Sequence, residues 1–173
     1  MNIIPTLKPD QLSVVVTPPG IGLNRLPELL ASLAWRGPLR FLDGDGRFDF
    51  YPVARALRRL TPDVTAALER IQTRRVFACH EALRLLQETE GLPVPLVAAD
   101  LLAAFHDEDV PLDERLRLLA ACARELSRLA EHAPVLVITR AGDPRLMEVL
   151  LEAADQVWEL EAPHPAVLQA ALF

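Results

Sequence analysis

The chain has little of several features that mark particular classes of protein. It holds two cysteines and four histidines among 173 residues, with no metal-ligand spacing, so a disulfide framework and a clustered metal site are not its organising features. Cys79 and Cys122 fall inside apolar helical patterns and are predicted to be reduced core thiols. No apolar run reaches the roughly 18 residues of a membrane span, and no signal peptide is recognisable. These absences predict a protein of a bacterial-type cytoplasm without a membrane partner.

The chain is also nearly without lysine, since Lys8 is the only one, and its net charge is −6. This balance argues against a protein coated for nucleic acid, so any DNA binding is expected to be weak. The charge is uneven, because residues 35–84 hold ten arginines against six acidic residues. Solvated helix faces are one interpretation of this excess. The other is a surface for nucleic acid or a protein partner, formed by Arg55, Arg58, Arg59, Arg74 and Arg75.

The pattern of apolar residues alternates between the spacing of strands and that of helices. Strands are predicted at 12–16, 39–42, 71–77, 94–99, 135–139 and 157–160, and helices at 23–33, 51–60, 78–88, 112–132 and 143–154. Such alternation predicts an α/β fold with three layers, in which helices cover both faces of a mainly parallel sheet. With no internal repeat or linker, residues 1–173 are predicted to form a single domain.

The first strand end has the context of a phosphate-binding loop, and ligands of parallel sheets bind at such ends. Residues 17–24 follow a strand, precede a helix and have the length of the pattern G-x-x-x-x-G-K-[ST]. Only Gly22 fits a fixed position, Leu23 replaces the lysine, and two prolines remove backbone donors. The sequence therefore predicts a degenerate phosphate loop, formed by Thr17, Gly20, Gly22, Leu23 and Asn24.

Carboxylates follow two further strands. Asp43 and Asp45 end a short apolar strand and are separated by a glycine, an arrangement that can orient a water or hold a cation. The alternative is a solvated turn, since Asp-Gly pairs are common in turns. Asp100 ends an apolar strand in the way that a magnesium-binding aspartate does. Because parallel strands share their carboxyl edge, one edge of the sheet is predicted to carry Thr17, Asp43, Asp100 and Thr139.

In their order and spacing, these segments resemble the RecA-like recombinase ATPases, especially the archaeal and eukaryotic branch and its paralogues. Residues 42–48 are similar to the family motif D-T-E-G-T-F, and residues 68–77 to the segment before its second helix. Residues 99–105 are similar to its magnesium strand, and residues 137–140 to its sensor strand. The resemblance covers roughly residues 12–140 and implies a RecA-like P-loop NTPase core.

The resemblance also implies an ATP–magnesium site, from which this chain departs. Asp43 and Asp100 match the family's strand aspartates, and Asp45 stands where the family has its catalytic glutamate. Arg140 replaces the sensor asparagine, and the acidic segment 106–114 stands where a DNA-binding loop is expected. The three acids are therefore interpreted as remnants, and neither a catalytic residue nor a metal site is assigned.

The sequence thus predicts a non-catalytic RecA-like accessory protein that acts through protein partners or self-association in DNA recombination or repair. No cofactor is expected. One alternative is a nucleotide-binding ATPase with an atypical loop, in which ATP and magnesium bind and Asp100 holds the metal. Another is a single-stranded DNA-binding module that uses the arginines. The apolar residues 166–173 are predicted to pack on the sheet or to dock on another chain.

Overall fold

A computed structural model describes residues 7–19 and 23–161, which form alternating strands and helices. The strands are β1 (Leu12–Thr17), β2 (Leu39–Asp43), β3 (Ile71–Arg75), β4 (Leu96–Ala99), β5 (Val135–Arg140) and β6 (Gln156–Glu159). The helices are α1 (Leu26–Arg36), α2 (Tyr51–Leu57), α3 (Val64–Glu69), α4 (Cys79–Glu88), α5 (Leu112–Ala130) and α6 (Pro144–Ala153), and a 3-10 helix spans Leu101–Phe105. Across the ranges described, no helix combines the length and the apolar character needed to cross a membrane.

The six strands form one sheet in the order β3-β2-β4-β5-β1-β6, and all neighbouring strands are parallel. Its central strands are almost wholly buried, because helices lie against both faces. The predicted three-layer α/β/α architecture is therefore confirmed. This sheet is also compatible with a P-loop-type core.

Alternating side chains of the strands divide the core into two halves. On β1, Val14 and Val16 belong to the half covered by the 3-10 helix, α4, α5 and α6, whereas Val15 belongs to the half covered by α1, α2 and α3. Leu126 on α5 and Leu30 on α1 are fully buried in these two halves. Both faces of the central strands β1, β4 and β5 thus exclude water, which fixes the register of these strands.

The structure differs from the predicted elements mainly at helix ends. Helix α1 begins at Leu26 rather than at Leu23, because the Leu26 N–H bonds the Leu23 carbonyl oxygen (2.9 Å) in a turn before the helix. Helix α2 ends at Leu57 rather than at residue 60, and the three residues that follow form a turn. Helix α3 was not predicted; it begins where the Asp63 side chain accepts a hydrogen bond from the Ala66 N–H (3.1 Å).

Candidate functional site

Four strands deliver polar residues to the same edge of the sheet. Because the sheet is parallel, the ends of β1, β2, β4 and β5 all lie at the carboxyl edge. Asp43 pairs in register with Ala99, directly before Asp100, and Thr17 pairs with Arg140. The predicted placement of Thr17, Asp43, Asp100 and Thr139 at one edge is therefore confirmed.

Asp43 organises the turn that follows β2. Its side chain is 3% exposed, and its two carboxylate oxygens accept hydrogen bonds from the N–H groups of Gly46 (3.0 Å) and Phe48 (2.9 Å). The Arg75 Nε atom lies 3.7 Å from Oδ2 of the same carboxylate. Backbone donors and a neighbouring arginine thus compensate the charge of Asp43, and its oxygens face inward to the turn.

Two glycines allow this turn to lie close to its neighbours. A Cβ atom at Gly44 would come within 2.6 Å of the Leu101 Cα atom, so only glycine fits between the turn and β4. The Gly44 N–H donates to the Ala99 carbonyl oxygen (2.8 Å). Gly46 has a φ of +68°, a conformation that favours glycine, and lies against the ring of Phe77. Backbone contacts at Gly44 therefore hold the turn that carries Asp45 against the end of β4, in addition to the hydrogen bonds that Asp43 accepts.

Asp100 lies at the centre of the carboxyl edge. It adopts the left-handed conformation with φ of +52°, and its N–H donates to the Ile138 carbonyl oxygen (2.7 Å). Its side chain is 10% exposed. Oδ1 accepts the Arg140 N–H (3.3 Å), and Oδ2 pairs with the Arg140 guanidinium. This buried carboxylate therefore has both a backbone donor and a cation.

Arg140 joins the two acid-bearing segments of the edge. The guanidinium nitrogen that contacts Asp100 also lies 3.7 Å from Oδ2 of Asp45. The hydrogen bond to Asp100 is the main cause that raises the pKa of Arg140 above its ordinary value. The sequence identified Arg140 only as a substitution for an asparagine. The signal in the sequence was a cationic side chain at the end of one predicted strand, in a sheet where two other strands are followed by acids.

The residues present do not fit the magnesium ion of an ATP–magnesium site. Magnesium requires free oxygen ligands in near-octahedral geometry. Here Asp100 and Asp45 already hold a guanidinium, and the oxygens of Asp43 accept backbone hydrogen bonds. The charges of the acids at the carboxyl edge are thus already compensated by groups of the protein.

The segment predicted to be a degenerate phosphate loop is described only at its two ends. Gly20 and Gly22 lie outside the described residues. Thr17 is buried, and its hydroxyl donates to the Thr139 carbonyl oxygen (3.4 Å). Leu23 packs against the core half beneath α1, and Asn24 is exposed. An apolar side chain that packs on the core thus stands where the P-loop pattern has its lysine.

The predicted arginine surface is exposed but does not form one helical face. Arg55 lies on α2, whereas Arg58 and Arg59 follow its end in the turn. Arg74 and Arg75 lie on the edge strand β3, where alternation points them to opposite faces. Arg75 is anchored, because it also donates to the Phe48 carbonyl oxygen (3.2 Å).

Comparison of the sequence with models of known protein families and with curated proteins found no match.

Proposed function

We propose that this protein is a non-catalytic RecA-like accessory protein, similar to the recombinase paralogues, that acts through protein partners. The observation that carries the proposal is the placement of the Arg140 guanidinium against Asp100 and Asp45. These acids stand where the resembling family has its magnesium and catalytic carboxylates. A role in DNA recombination or repair rests on that resemblance alone.

Loss of phosphoryl-transfer chemistry is supported at two separate places. Such chemistry depends on positioned cations that neutralise the developing charge on the phosphates. Leu23 supplies no charge at the lysine position, and Arg140 compensates the carboxylates that would hold a metal. The parallel sheet and the turn after β2 are well formed in the described residues, which supports a fold kept without the machinery for hydrolysis.

A role in binding partners is supported by exposed aromatic side chains near the same edge. Phe77 follows β3 directly and is 70% exposed, and Tyr51 opens α2 and is 64% exposed. The backbone of Phe77 is held in place, because its N–H donates to Oε2 of Glu81 (3.0 Å). Exposed aromatic residues and arginines are enriched in protein interfaces.

Calorimetric titration with ATP and Mg²⁺ tests the non-catalytic part of the proposal. No saturable binding is expected up to about 1 mM ligand, equivalent to less than about 4 kcal/mol of binding free energy. A micromolar, magnesium-dependent affinity would reject it. That result would favour the alternative of a nucleotide-binding ATPase with an atypical loop.

Light scattering over a range of protein concentrations tests the partner-binding part. Self-association, or a partner that co-purifies, should be lost in a variant with Phe77→Ser and Tyr51→Ser. The matched control is Leu92→Ser, since Leu92 is also an exposed apolar residue but lies before β4, at the opposite edge. A strictly monomeric protein with no co-purifying partner removes the support for this part.

A single-stranded DNA-binding module is the second candidate function. It is favoured by the exposure of Arg55, Arg58 and Arg59, which make no ion pair with any residue in the described part of the chain. Reversing these three charges to glutamate should weaken binding of a fluorescent oligo-dT and flatten its salt dependence. Arg124→Glu is the control, because Arg124 is exposed on α5 in the other helical layer. Unchanged affinity and salt slope would assign the three arginines to solvated faces.

A further inference from the structure

We propose that Arg140 is the resident counter-cation of the carboxyl edge, and that it closes a divalent-cation site formed by Asp45 and Asp100. This inference deepens the proposed function, because it names the group that keeps the edge from holding a metal. The carrying observation is that one guanidinium nitrogen contacts carboxylate oxygens from two separate segments of the chain. A single cation between two acids is the arrangement that a metal ion would otherwise supply.

The burial of Asp100 makes such a cation necessary. A carboxylate removed from water is strongly unfavourable unless an opposite charge and hydrogen bonds compensate it. Arg140 supplies both, since its backbone N–H and its guanidinium bond the two oxygens of Asp100. Without the guanidinium, Asp45 and Asp100 present two negative charges at one point of the edge. An external cation is then attracted to that position.

The backbone segments that carry the two acids are held by bonds that do not involve the Arg140 guanidinium. Backbone hydrogen bonds fix each acid-bearing segment: the Asp100 N–H bonds the Ile138 carbonyl oxygen (2.7 Å), and the Gly44 N–H bonds the Ala99 carbonyl oxygen (2.8 Å). The Asp43 carboxylate further holds the turn around Asp45 through two backbone donors. Replacing Arg140 therefore removes the cation and leaves in place the backbone segments that carry both carboxylates.

The closure is independent of pH over the physiological range. A guanidinium stays protonated in proteins, so a change in pH does not release it as it would release a histidine. The Arg140 side chain is 48% exposed, so its replacement opens the position to solvent and to ions. The site is thus closed in the natural protein and opens only when the arginine is removed.

Titration of the nucleotide-free, full-length protein with Mn²⁺, followed by the electron paramagnetic resonance of free Mn²⁺, tests the inference. The variants Arg140→Ala and Arg140→Gln should bind Mn²⁺ at least about tenfold more tightly than the natural protein. Arg140→Lys keeps a positive charge and should resemble the natural protein. The double variant with Arg140→Ala and Asp100→Asn should lose the gain, because it removes one ligand.

The matched control is Arg117→Ala, which also removes an arginine that pairs with a carboxylate. Arg117 pairs with Glu114 at 3.6 Å on the exposed surface of α5, so its removal should create no Mn²⁺ site. The inference is overturned if neither Arg140→Ala nor Arg140→Gln gains affinity, if the gain survives Asp100→Asn, or if the natural protein binds Mn²⁺ equally well.

Thermal unfolding covers the case in which the Arg140 variants fold poorly. If Arg140→Ala is destabilised because the carboxyl edge has lost its cation, Mn²⁺ should raise the melting temperature of this variant and leave that of Arg117→Ala unchanged. Failure of Mn²⁺ to restore a poorly folded Arg140→Ala would contradict the inference. Because no nucleotide and no partner is present, these outcomes are separate from those that test the proposed function.

Discussion

The guanidinium of Arg140 pairs with the buried carboxylate of Asp100 across the neighbouring strands β5 and β4. The two residues are separated by 40 positions in the chain, and the parallel register brings them together. The same nitrogen reaches Asp45 in the turn after β2. Three segments of the chain therefore meet through one cation, which links the integrity of the edge to the stability of the fold.

Replacing Asp100 should lower stability by an amount that depends on the new residue. Asp100→Ala should lower the free energy of unfolding by about 3 kcal/mol, because it removes the carboxylate that accepts both the N–H and the guanidinium of Arg140 and puts alanine at φ of +52°. Asp100→Asn should cost about 1 kcal/mol, since asparagine tolerates this conformation and still accepts a hydrogen bond. Urea unfolding measures both. Equal losses for the two variants would contradict the account.

Adding one methyl group to Gly44 should disturb the close approach of the turn to β4. Gly44→Ala is expected to lower the free energy of unfolding by about 2 kcal/mol, because its Cβ would press on backbone atoms near Asp100 that cannot move aside. Gly37→Ala is the matched control, since nothing lies within 4 Å of a Cβ there. Denaturant unfolding should show little change for Gly37→Ala, and a tolerated Gly44→Ala would mean that the turn is free to shift.

The central strands β1, β4 and β5 were predictable from sequence because each is a short, mostly apolar run, and buried parallel strands have that composition. The boundaries of short helices were not. Helix α3 buries only Ala67 and therefore lacks a helical apolar pattern. The 3-10 helix Leu101–Phe105 is apolar throughout, so no periodicity distinguishes it from a strand. Helices α4 and α5, with regular apolar spacing, were placed to within about two residues.

The acids of the candidate site were predictable because strand ends in a parallel sheet share an edge. The ion pairs that join these acids were not predictable, because they depend on the order of the strands in the sheet. The sequence does not state that β4 lies between β2 and β5, and this order is what brings Arg140 to Asp100 and Asp45. Asp43 was likewise a candidate ligand in the sequence, whereas its oxygens accept hydrogen bonds within its own turn.

The start of α6 should become less stable in acid. Hydrogen bonds from the side chain and the backbone of Arg145 lower the pKa of Asp143 from 3.8 to about 2. Because the pKa is lower in the folded state, the charge of Asp143 stabilises the fold fully above about pH 4 and ceases to do so as the pH falls through 2.

Asp143→Asn keeps an acceptor for the Arg145 N–H and removes the charge. The difference in unfolding free energy between the natural protein and this variant should therefore shrink steadily between pH 4 and pH 2. Carbon NMR of the Asp143 carboxyl measures the pKa directly, and Arg145→Gln should return it toward 3.8. An ordinary pKa in the natural protein would contradict the pairing of these two residues.

Removing the Asp43 carboxylate should loosen the turn that carries Asp45. Asp43→Ala leaves the N–H groups of Gly46 and Phe48 without their acceptor, and Arg75 without its partner. We expect Asp43→Ala to lower the free energy of unfolding by about 2 to 3 kcal/mol, since each unsatisfied donor costs about 1 kcal/mol or more. Asp43→Asn should lose less, because its amide oxygen still accepts one of the two bonds.

Asp49→Ala is the control, since Asp49 accepts one backbone N–H, that of Tyr51 (2.9 Å), at an exposed position. It should change stability by less than about 1 kcal/mol. Hydrogen exchange distinguishes a local effect from a global one: the Gly46 and Phe48 amides should lose protection in Asp43→Ala even in conditions where the β1 and β5 amides keep theirs. If all amides of Asp43→Ala exchange together, or if the Gly46 amide stays protected, Asp43 does not hold this turn.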